Sequence, residues 1–452
     1  MNDYPVADYA PMAATALTDA ERWPLMTPAA EAMLHRLRTH PAAPHYNHAC
    51  GDRLTAQAKN NLMTYRTQLA AGIPEPDWIM PLVTRVYETV PHHQGKPKPT
   101  TLADVPTTTR HDLLSRPETH VPTDADLSEL IVYRTSGSRG PAATVPMTPE
   151  FCAQDLPVIE HILSTLDVRL EGGATNVTLV NVYDQPVAYQ FASVSTYLGG
   201  AGVLKTNLHE SGWHTPEDRT DFLDDCAPEL YTGNPISLAK LAELPLKTRP
   251  KAILSGAMAL NKGLRDRLTE RFQCPVVDLY GITEAGLIAW RHDNGPHQLI
   301  PRKIHVEILT PGGTPCPPGQ RGEITVTSGE NPLLPLLRYR TGDHATLSEV
   351  EGTPALLGLE GRDPVRYRNA TGAWVNSIEL THVLSPLGLA AWQLHQSETG
   401  AVTVDVHGPT EGVEQAIHSL LGQLPITVKS ENLASDAKPQ RYSSTMDGAL
   451  LT

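Results

Sequence analysis

Between about residues 130 and 290, short apolar runs alternate with longer amphipathic segments. The apolar runs, typical of buried strands, are Leu127–Tyr133, Val177–Val182, Ala252–Leu254 and Pro275–Leu279. The helix-like segments are Pro149–Leu166, Tyr189–Leu198 and Asn261–Phe272. This alternation predicts an α/β fold with a doubly wound, mainly parallel sheet, which binds ligands at the carboxyl ends of its strands.

The pattern changes after residue 300. Lys303–Leu309 and Gly322–Thr327 alternate like short strands, and the Pro/Gly-rich turn Thr310–Gly319 between them predicts an antiparallel β unit. A second change near Gly361–Asp363 begins a compact α/β unit, with helices predicted at Ser377–Leu384 and Gly412–Gln423 and a strand at Ala401–His407. We expect a large domain over residues 1–362, with mixed sheets and a β subdomain, and a small C-terminal domain over 363–452.

Composition narrows the class of protein. The 452 residues are 40% hydrophobic and carry a formal net charge of −14, which favours a globular chain and argues against a nucleic-acid partner. The five cysteines are scattered and form no C-x-x-C pair, so we expect neither a disulfide framework nor a structural zinc site. With no basic N-terminal region and no long apolar stretch, we expect a cytoplasmic protein without a membrane segment.

A hydroxyl- and glycine-rich loop follows the first predicted strand. It consists of Thr135, Ser136, Gly137, Ser138, Arg139 and Gly140. Glycines let a phosphate approach the backbone closely, and backbone N–H groups and hydroxyls can donate to it. The loop is not a Walker A sequence, because no G-K-[ST] follows. Taken alone, the loop fits an ordinary surface turn better than a phosphate site.

Two later segments add aromatic and acidic groups. Tyr280-Gly281-Ile282-Thr283-Glu284 follows a predicted strand and offers a stacking ring and a carboxylate suited to Mg²⁺. Asp343, in the segment Arg338–Asp343, could accept both hydroxyls of a ribose. The alternatives are that Glu284 is solvated and that Asp343 caps a turn.

The order of these motifs resembles the adenylate-forming superfamily of acyl-CoA synthetases, aryl-CoA ligases and adenylation domains. The resemblance rests on the hydroxyl/glycine loop, Tyr280–Glu284, Tyr339–Asp343, Gly361–Asp363 and the lysine segment Ser435–Arg441. Leu102–Leu114 and the form of the Asp343 motif are most similar to phenylacetate-CoA ligases. The resemblance implies a fold with a mobile C-terminal lid and a hinge at Asp363.

The resemblance also implies roles for individual residues. Thr135–Gly140 would hold the β- and γ-phosphates, and Gly256, Ala257, Met258, Tyr280 and Gly281 would form the adenine site. Thr283 would contact the α-phosphate, Glu284 would bind Mg²⁺, and Asp343 would hold the ribose with Arg362 nearby. Lys438 would neutralise charge in the transition state, so that Lys438, Glu284 and Thr283 form the catalytic group.

The acid pocket implied by the resemblance is formed by Tyr183, Asp184, Gln185, Ser255, Ile282 and Ala285. Asp184 and Gln185 favour a substrate with hydroxyl or amino groups, because buried polar groups need partners; alternatively, both face solvent.

The phosphate loop departs from the family pattern. It continues Gly140-Pro141-Ala142-Ala143, without the usual lysine.

The predicted function is therefore ATP- and Mg²⁺-dependent activation of a small carboxylic acid as acyl-AMP, followed by transfer to a thiol, with coenzyme A as the expected acceptor. Alternatives are transfer to a carrier protein or a non-thiol nucleophile, including adenylation of a small inorganic acid such as nitrite, and a catalytically weak nucleotide-binding protein. The sequence leaves open whether the protein forms a homodimer. His45, His48 and Cys50 fit surface or packing roles, and His92-His93 fits a solvated loop.

Overall fold

A computed structural model describes residues 17–134, 144–184, 188–361, 365–430, 442–447 and 449. The helices of these residues are α1 (Asp19–Arg22), α2 (Pro28–Arg38), α3 (Ala56–Ala70), α4 (Ile79–Thr89), α5 (Arg110–Ser115), α6 (Pro149–Ala153), α7 (Asp155–Ser164), α8 (Asp218–Cys226), α9 (Pro235–Glu243), α10 (Lys262–Phe272), α11 (Ser377–Leu384) and α12 (Val413–Leu421).

The strands belong to four sheets. The two-stranded sheets are β1 (Ile131–Arg134) with β2 (Thr144–Met147), and β15 (Arg366–Arg368) with β16 (Trp374–Asn376). The main sheet contains β3 (Val177–Tyr183), β4 (Phe191–Ser195), β5 (Ala201–Asn207), β6 (Leu230–Gly233), β7 (Ala252–Ser255), β8 (Val276–Ile282), β9 (Gly286–Arg291), β10 (His297–Leu299), β11 (Ile304–Leu309), β12 (Gly322–Ser328), β13 (Leu336–Val350) and β14 (Thr353–Gly361). The fourth sheet contains β17 (Ala391–Gln396), β18 (Val402–His407), β19 (Ile426–Ser430) and β20 (Tyr442–Ser444).

The parallel half of the main sheet runs in the order β8-β7-β6-β3-β5, with β4 antiparallel at the edge. One face packs on α2 and α8–α10 through side chains such as Leu37, Phe222 and Phe272. The other packs on α3 and α7 through Leu69 and Ile162. Helices cover both faces, so their sequences bury apolar stripes and the strands between them are apolar on both sides.

Side-chain caps set the ends of these helices. Asn261 Oδ1 accepts a hydrogen bond of 2.8 Å from Leu264 N at the start of α10, and that helix ends at Gln273 in the left-handed conformation. Asn234 caps α9 in the same way, accepting from Ser237 N at 2.8 Å. Such caps satisfy backbone donors that the first helical turn leaves free.

The antiparallel half continues the same sheet in the order β8-β9-β10-β14-β13-β12-β11. A second hydrophobic core packs against these strands and includes residues such as Ile288, Ile324 and Leu356. The predicted mixed α/β fold with a β portion is confirmed, and the two portions share one hydrogen-bonded sheet of twelve strands.

Residues 365–430 and 442–447 build a separate sheet in the order β19-β18-β17-β20, covered by α11 and α12. Leu380, Trp392 and Ile417 lie in its core. The predicted helix at Ser377–Leu384 is α11, and the predicted strand near Ala401–His407 is β18.

Three sequence interpretations are wrong. Tyr189–Leu198 is not helical, because it contains β4, which pairs with β5. The turn that joins these two strands includes Gly199 and Gly200, whose φ values of 71° and 87° favour glycine. Leu127–Tyr133 is a strand only from Ile131 onward, and it is not buried: within the described residues β1 pairs with β2 alone, and Tyr133 is 48% exposed. His93 is not solvated: it is buried against the ring of Tyr87.

Among the helices described above, none is both long enough and apolar enough to cross a membrane.

Candidate nucleotide and acid site

The carboxyl ends of the parallel strands bring several predicted residues to one edge of the main sheet. Tyr183 ends β3, Ser255 ends β7 and Ile282 ends β8. In the sheet order β8 is next to β7, and β3 lies two strands beyond β7, so the three residues lie along one edge of the sheet. That edge is where open α/β sheets bind ligands.

Tyr280 and Asp343 meet across the curl of the sheet. Tyr280 Oη donates to Asp343 Oδ2 at 3.1 Å, although β9, β10 and β14 lie between their strands. Only a strongly curved sheet can bring these two strands together. Burial raises the pKa of Tyr280 well above its usual range, and Asp343 raises it further, so the phenol remains a hydrogen-bond donor at neutral pH.

Glu284 is a buried carboxylate in the turn from β8 to β9. Its side chain is 5% exposed, and its Oε1 accepts from Tyr339 Oη at 3.1 Å. Arg110 Nη1, on the first residue of α5, lies 3.8 Å from the same oxygen. Burial raises the pKa of Tyr339, and so does the adjacent Glu284. The phenol and the guanidinium therefore orient the carboxylate from one side.

Gly281 permits the tight turn that carries Glu284. A Cβ at this position would lie 2.6 Å from the carbonyl oxygen of Gly286, closer than real Cβ contacts come. Thr283, between Ile282 and Glu284, is exposed. The turn thus presents a hydroxyl outward and buries the carboxylate behind it.

The predicted adenine segment forms a strained turn after β7. Met258 N donates to Gly256 O at 2.8 Å, which closes a three-residue turn around Ala257. Ala257 has φ of 64°, a left-handed conformation that side chains rarely adopt. Residues held in such conformations concentrate at ligand sites. A Cβ at Gly256 would meet no atom within 4 Å, so space is open on that side.

The remaining acid-pocket residues occupy different environments. Ser255 is fully buried, and its Oγ has no hydrogen-bond partner among the described residues. Ala285 is buried in the core of the antiparallel half of the main sheet. Ser255 therefore offers, at the strand ends, a polar atom that no described residue satisfies, whereas Ala285 contributes to packing.

The C-terminal unit contacts this edge of the sheet. Met258 packs with Ile236 of α9 and Ala391 of β17. Burial lowers the pKa of His407 at the end of β18, and the nearby half-buried carboxylate of Asp184 opposes that shift. Residues of the C-terminal unit thus adjoin two predicted site segments.

Several predicted site residues lie outside the described residues: Thr135, Ser136, Gly137, Ser138, Arg139, Gly140, Gln185, Arg362 and Lys438. The structure adds two that the sequence reasoning did not assign, Tyr339 and Arg110. Both lie inside segments already singled out, the Asp343 motif and Leu102–Leu114. Their contact with Glu284 depends on the fold, so sequence position alone could not reveal it.

The residues present fit a magnesium ion that is held mainly by phosphates. No group of three or more His, Cys, Asp or Glu side chains suited to a metal occurs within the described ranges. Mg²⁺ commonly takes one or two carboxylates and completes its shell with water and substrate phosphates. Glu284, oriented by Tyr339, matches that requirement as a single protein ligand.

Comparison with known proteins identifies the family. The family described as AMP-binding enzyme matches residues 80–331, more than half of the chain. The chain belongs to this family. It is thus an adenylate-forming enzyme, which activates an acid as acyl-AMP, and the predicted family resemblance is confirmed. The search of curated proteins finds no match.

Three solved structures align with this AMP-binding enzyme. A 2-hydroxyisobutyryl-CoA ligase in complex with 2-HIB-AMP aligns with a TM-score of 0.57 at 17% identity, over 85% of this chain and 88% of that chain. An anthranilate CoA ligase in complex with anthranoyl-AMP aligns with a TM-score of 0.48 at 14% identity, over 71% and 68%. An amide bond synthetase from Marinactinospora thermotolerans aligns with a TM-score of 0.45 at 17% identity, over 70% and 69%.

Proposed function

We propose that this AMP-binding enzyme activates a small carboxylic acid, aromatic or substituted with hydroxyl or amino groups, and transfers the acyl group to coenzyme A. The observation that carries the proposal is the double contact across the curled sheet, Tyr280 with Asp343 and Tyr339 with Glu284. It joins a ring suited to stacking on adenine, an acceptor for ribose hydroxyls and a carboxylate for Mg²⁺ at one site.

The positions of these residues suggest which part of ATP each one binds. Tyr280 and the segment Gly256–Met258 bind adenine and Asp343 binds the ribose. Thr283, exposed in its turn, binds the α-phosphate where the acid attacks. The anionic transition state is stabilised by groups fixed in place before the reaction, which lowers the barrier without further reorganisation.

Residues outside the described ranges complete the proposal by family resemblance. Thr135–Gly140 hold the outgoing pyrophosphate, and Arg362 lies near the ribose. Lys438 neutralises charge during adenylation. Residues 1–362 act as the catalytic body and residues 363–452 as a lid that rotates between adenylation and thioester formation. The contact of Met258 with Ala391 supports a lid position over the adenine segment.

Pyrophosphate release tests the first half-reaction. The protein is mixed with ATP, Mg²⁺ and a panel of aromatic, hydroxy and amino acids, and release above the acid-free background is measured. We expect acid-dependent release that Lys438→Ala reduces roughly a hundredfold or more, because a charge partner of the transition state is lost. ATP binding without release for any acid would favour a nucleotide-binding protein and refute the proposal.

The acceptor is tested with the acid that gives the fastest release. Coenzyme A, an acyl carrier protein and an amine are added separately, and the acyl product is identified by mass spectrometry. A thioester of coenzyme A supports the proposal, and an acyl-carrier or amide product alone overturns its second half. Lys438→Ala given synthetic acyl-AMP should lose much less thioester formation than adenylation; equal loss in both steps would indicate misfolding.

A further inference from the structure

A half-buried lysine stands at the carboxyl end of β5, next to the predicted acid pocket. In the sheet register, Lys205 is opposite Asn181 of β3 on one side and Phe191 of β4 on the other. Its Nζ lies 4.2 Å from the ring centroid of Tyr183 and 5.5 Å from that of Tyr189. The cation therefore lies within reach of two aromatic faces, a contact that attracts a positive charge.

No carboxylate of the described residues neutralises this cation. Among the described residues, no Asp or Glu lies within ion-pair distance of Lys205 Nζ, and no hydrogen bond to it is formed. Burial lowers the pKa of Lys205. Charged groups removed from water are normally paired, so an unpaired, partly desolvated lysine has capacity for an anionic partner from outside the chain.

A second unsatisfied polar atom lies beside it. Asn181 Oδ1 is buried without a hydrogen-bond partner within the described residues. Paired residues of parallel strands point to the same face of a sheet, so Asn181 and Lys205 share a face. Tyr183, two residues further along β3, shares it too. The face thus presents an ammonium, an amide and a phenol ring, with no acidic side chain of the described ranges within ion-pair distance of the ammonium.

The position of Lys205 in the sheet decides which part of a substrate it can contact. Thr283 and Glu284 follow β8, and four strand steps separate β8 from β5 through β7, β6 and β3. At the usual spacing of roughly 4.8 Å between neighbours, four steps amount to about 19 Å measured along the sheet. That separation exceeds the reach of a lysine side chain. A carboxyl group reacting beside Thr283 is therefore out of range of Lys205.

We propose that Lys205, with Asn181 and Tyr183, binds a second anionic group at the end of the acid substrate remote from the reacting carboxyl. The substrate class is then a dianionic acid, such as a dicarboxylate or a carboxylate with a distal phenolate or sulfonate. This inference rests on the proposed function for the position of the reacting carboxyl. Lys205 acts as a specificity determinant and takes no part in the chemical step.

The test compares acids in pairs that differ only in the distal group. Suberate is paired with octanoate, sebacate with decanoate, and 4-carboxyphenylacetate with phenylacetate. Pyrophosphate release is measured for the wild type, K205M, K205R and K262M; Lys262 is an exposed lysine on α10 that serves as the matched control.

We expect the wild type to prefer at least one dianionic acid over its partner. K205M should raise the Michaelis constant for that dianion roughly tenfold to a hundredfold, as loss of a hydrogen bond between charged groups does, and leave that of the monoanion within about twofold. K205R should retain most of the preference, and K262M all of it. An equal rise for both members of a pair, or no preference in the wild type, would overturn the inference.

Calorimetric binding of the same acids separates this inference from the proposed function. If no acid supports pyrophosphate release but the wild type binds a dianion that K205M does not, the proposed function fails and the anion site stands. If release occurs with monoanionic acids and no dianion binds more tightly to wild type than to K205M, the proposed function stands and the anion site is refuted. If no acid is turned over and no dianion binds, both fail.

Discussion

Replacing Tyr339 with phenylalanine removes one oxygen atom from behind Glu284 and tests the metal assignment. The lost contact is a 3.1 Å hydrogen bond from a buried phenol to a carboxylate that is 5% exposed. A hydrogen bond to a charged group contributes about 1.5–3 kcal/mol. Arg110 Nη1 is at 3.8 Å and half-exposed, so it cannot replace the phenol at hydrogen-bond distance.

If the phenol holds Glu284 in the orientation that binds Mg²⁺, Tyr339→Phe should lower the rate of pyrophosphate release roughly tenfold to a hundredfold at limiting Mg²⁺. Part of this loss should be recovered at high Mg²⁺, because mass action restores the bound ion. The measurement is a titration of initial rate against Mg²⁺ at saturating ATP and acid.

Tyr367→Phe is the matched control for this change. Tyr367 is fully buried in the C-terminal unit, and its hydroxyl donates to Leu394 O at 3.1 Å. It should lose comparable stability and leave the Mg²⁺ dependence as in the wild type. A Tyr339→Phe enzyme with an unchanged rate and Mg²⁺ midpoint would refute the role given to Glu284.

Three further predictions each concern one residue. Asp343→Ala should raise the Michaelis constant for ATP roughly a hundredfold by removing the ribose acceptor, and an unchanged constant in steady-state kinetics would contradict this. Ala257→Gly should keep or raise the free energy of unfolding by up to about 1 kcal/mol, since glycine relieves the left-handed strain at φ 64°; a urea titration that shows a clear loss would oppose the strain argument. Burial lowers the pKa of His120 to about 4, so as the pH drops the unfolded chain binds this proton before the folded chain does. The free energy of unfolding should therefore fall between about pH 6.5 and pH 4. In urea titrations across this range His120→Phe should reduce the dependence on pH, and an unchanged dependence would show that other groups cause it.

Local sequence signals predicted three of the five parallel strands in the described sheet. β3, β7 and β8 coincide with short apolar runs, and α10 begins immediately after Asn261, whose side chain caps it. These elements depend on neighbouring residues, which a sequence pattern records directly. The order of the motifs also predicted the family, now confirmed by the match over residues 80–331.

Non-local pairing explains what the sequence did not reveal. Residues Phe191–Ser195 form a strand because β5 supplies its partner, and this tertiary context overrides a helix-like pattern. The contact of Tyr280 with Asp343 depends on the curvature of four intervening strand pairings. Lys205 gave no signal, since a lysine in a strand is ordinarily solvated. That no acidic side chain in the described part of the chain pairs with Lys205 appears only in the fold.

The place of β14 in the sheet has a consequence for how the protein is made. β14 (Thr353–Gly361) pairs with β10 on one side and with β13 on the other, and both partners precede it in the chain. A nascent chain that has not yet supplied Thr353 therefore exposes two open strand edges, which are templates for pairing with other chains. Ribosome-stalled or truncated products that end before Thr353 should aggregate, whereas a fragment that ends after Gly361 closes both edges.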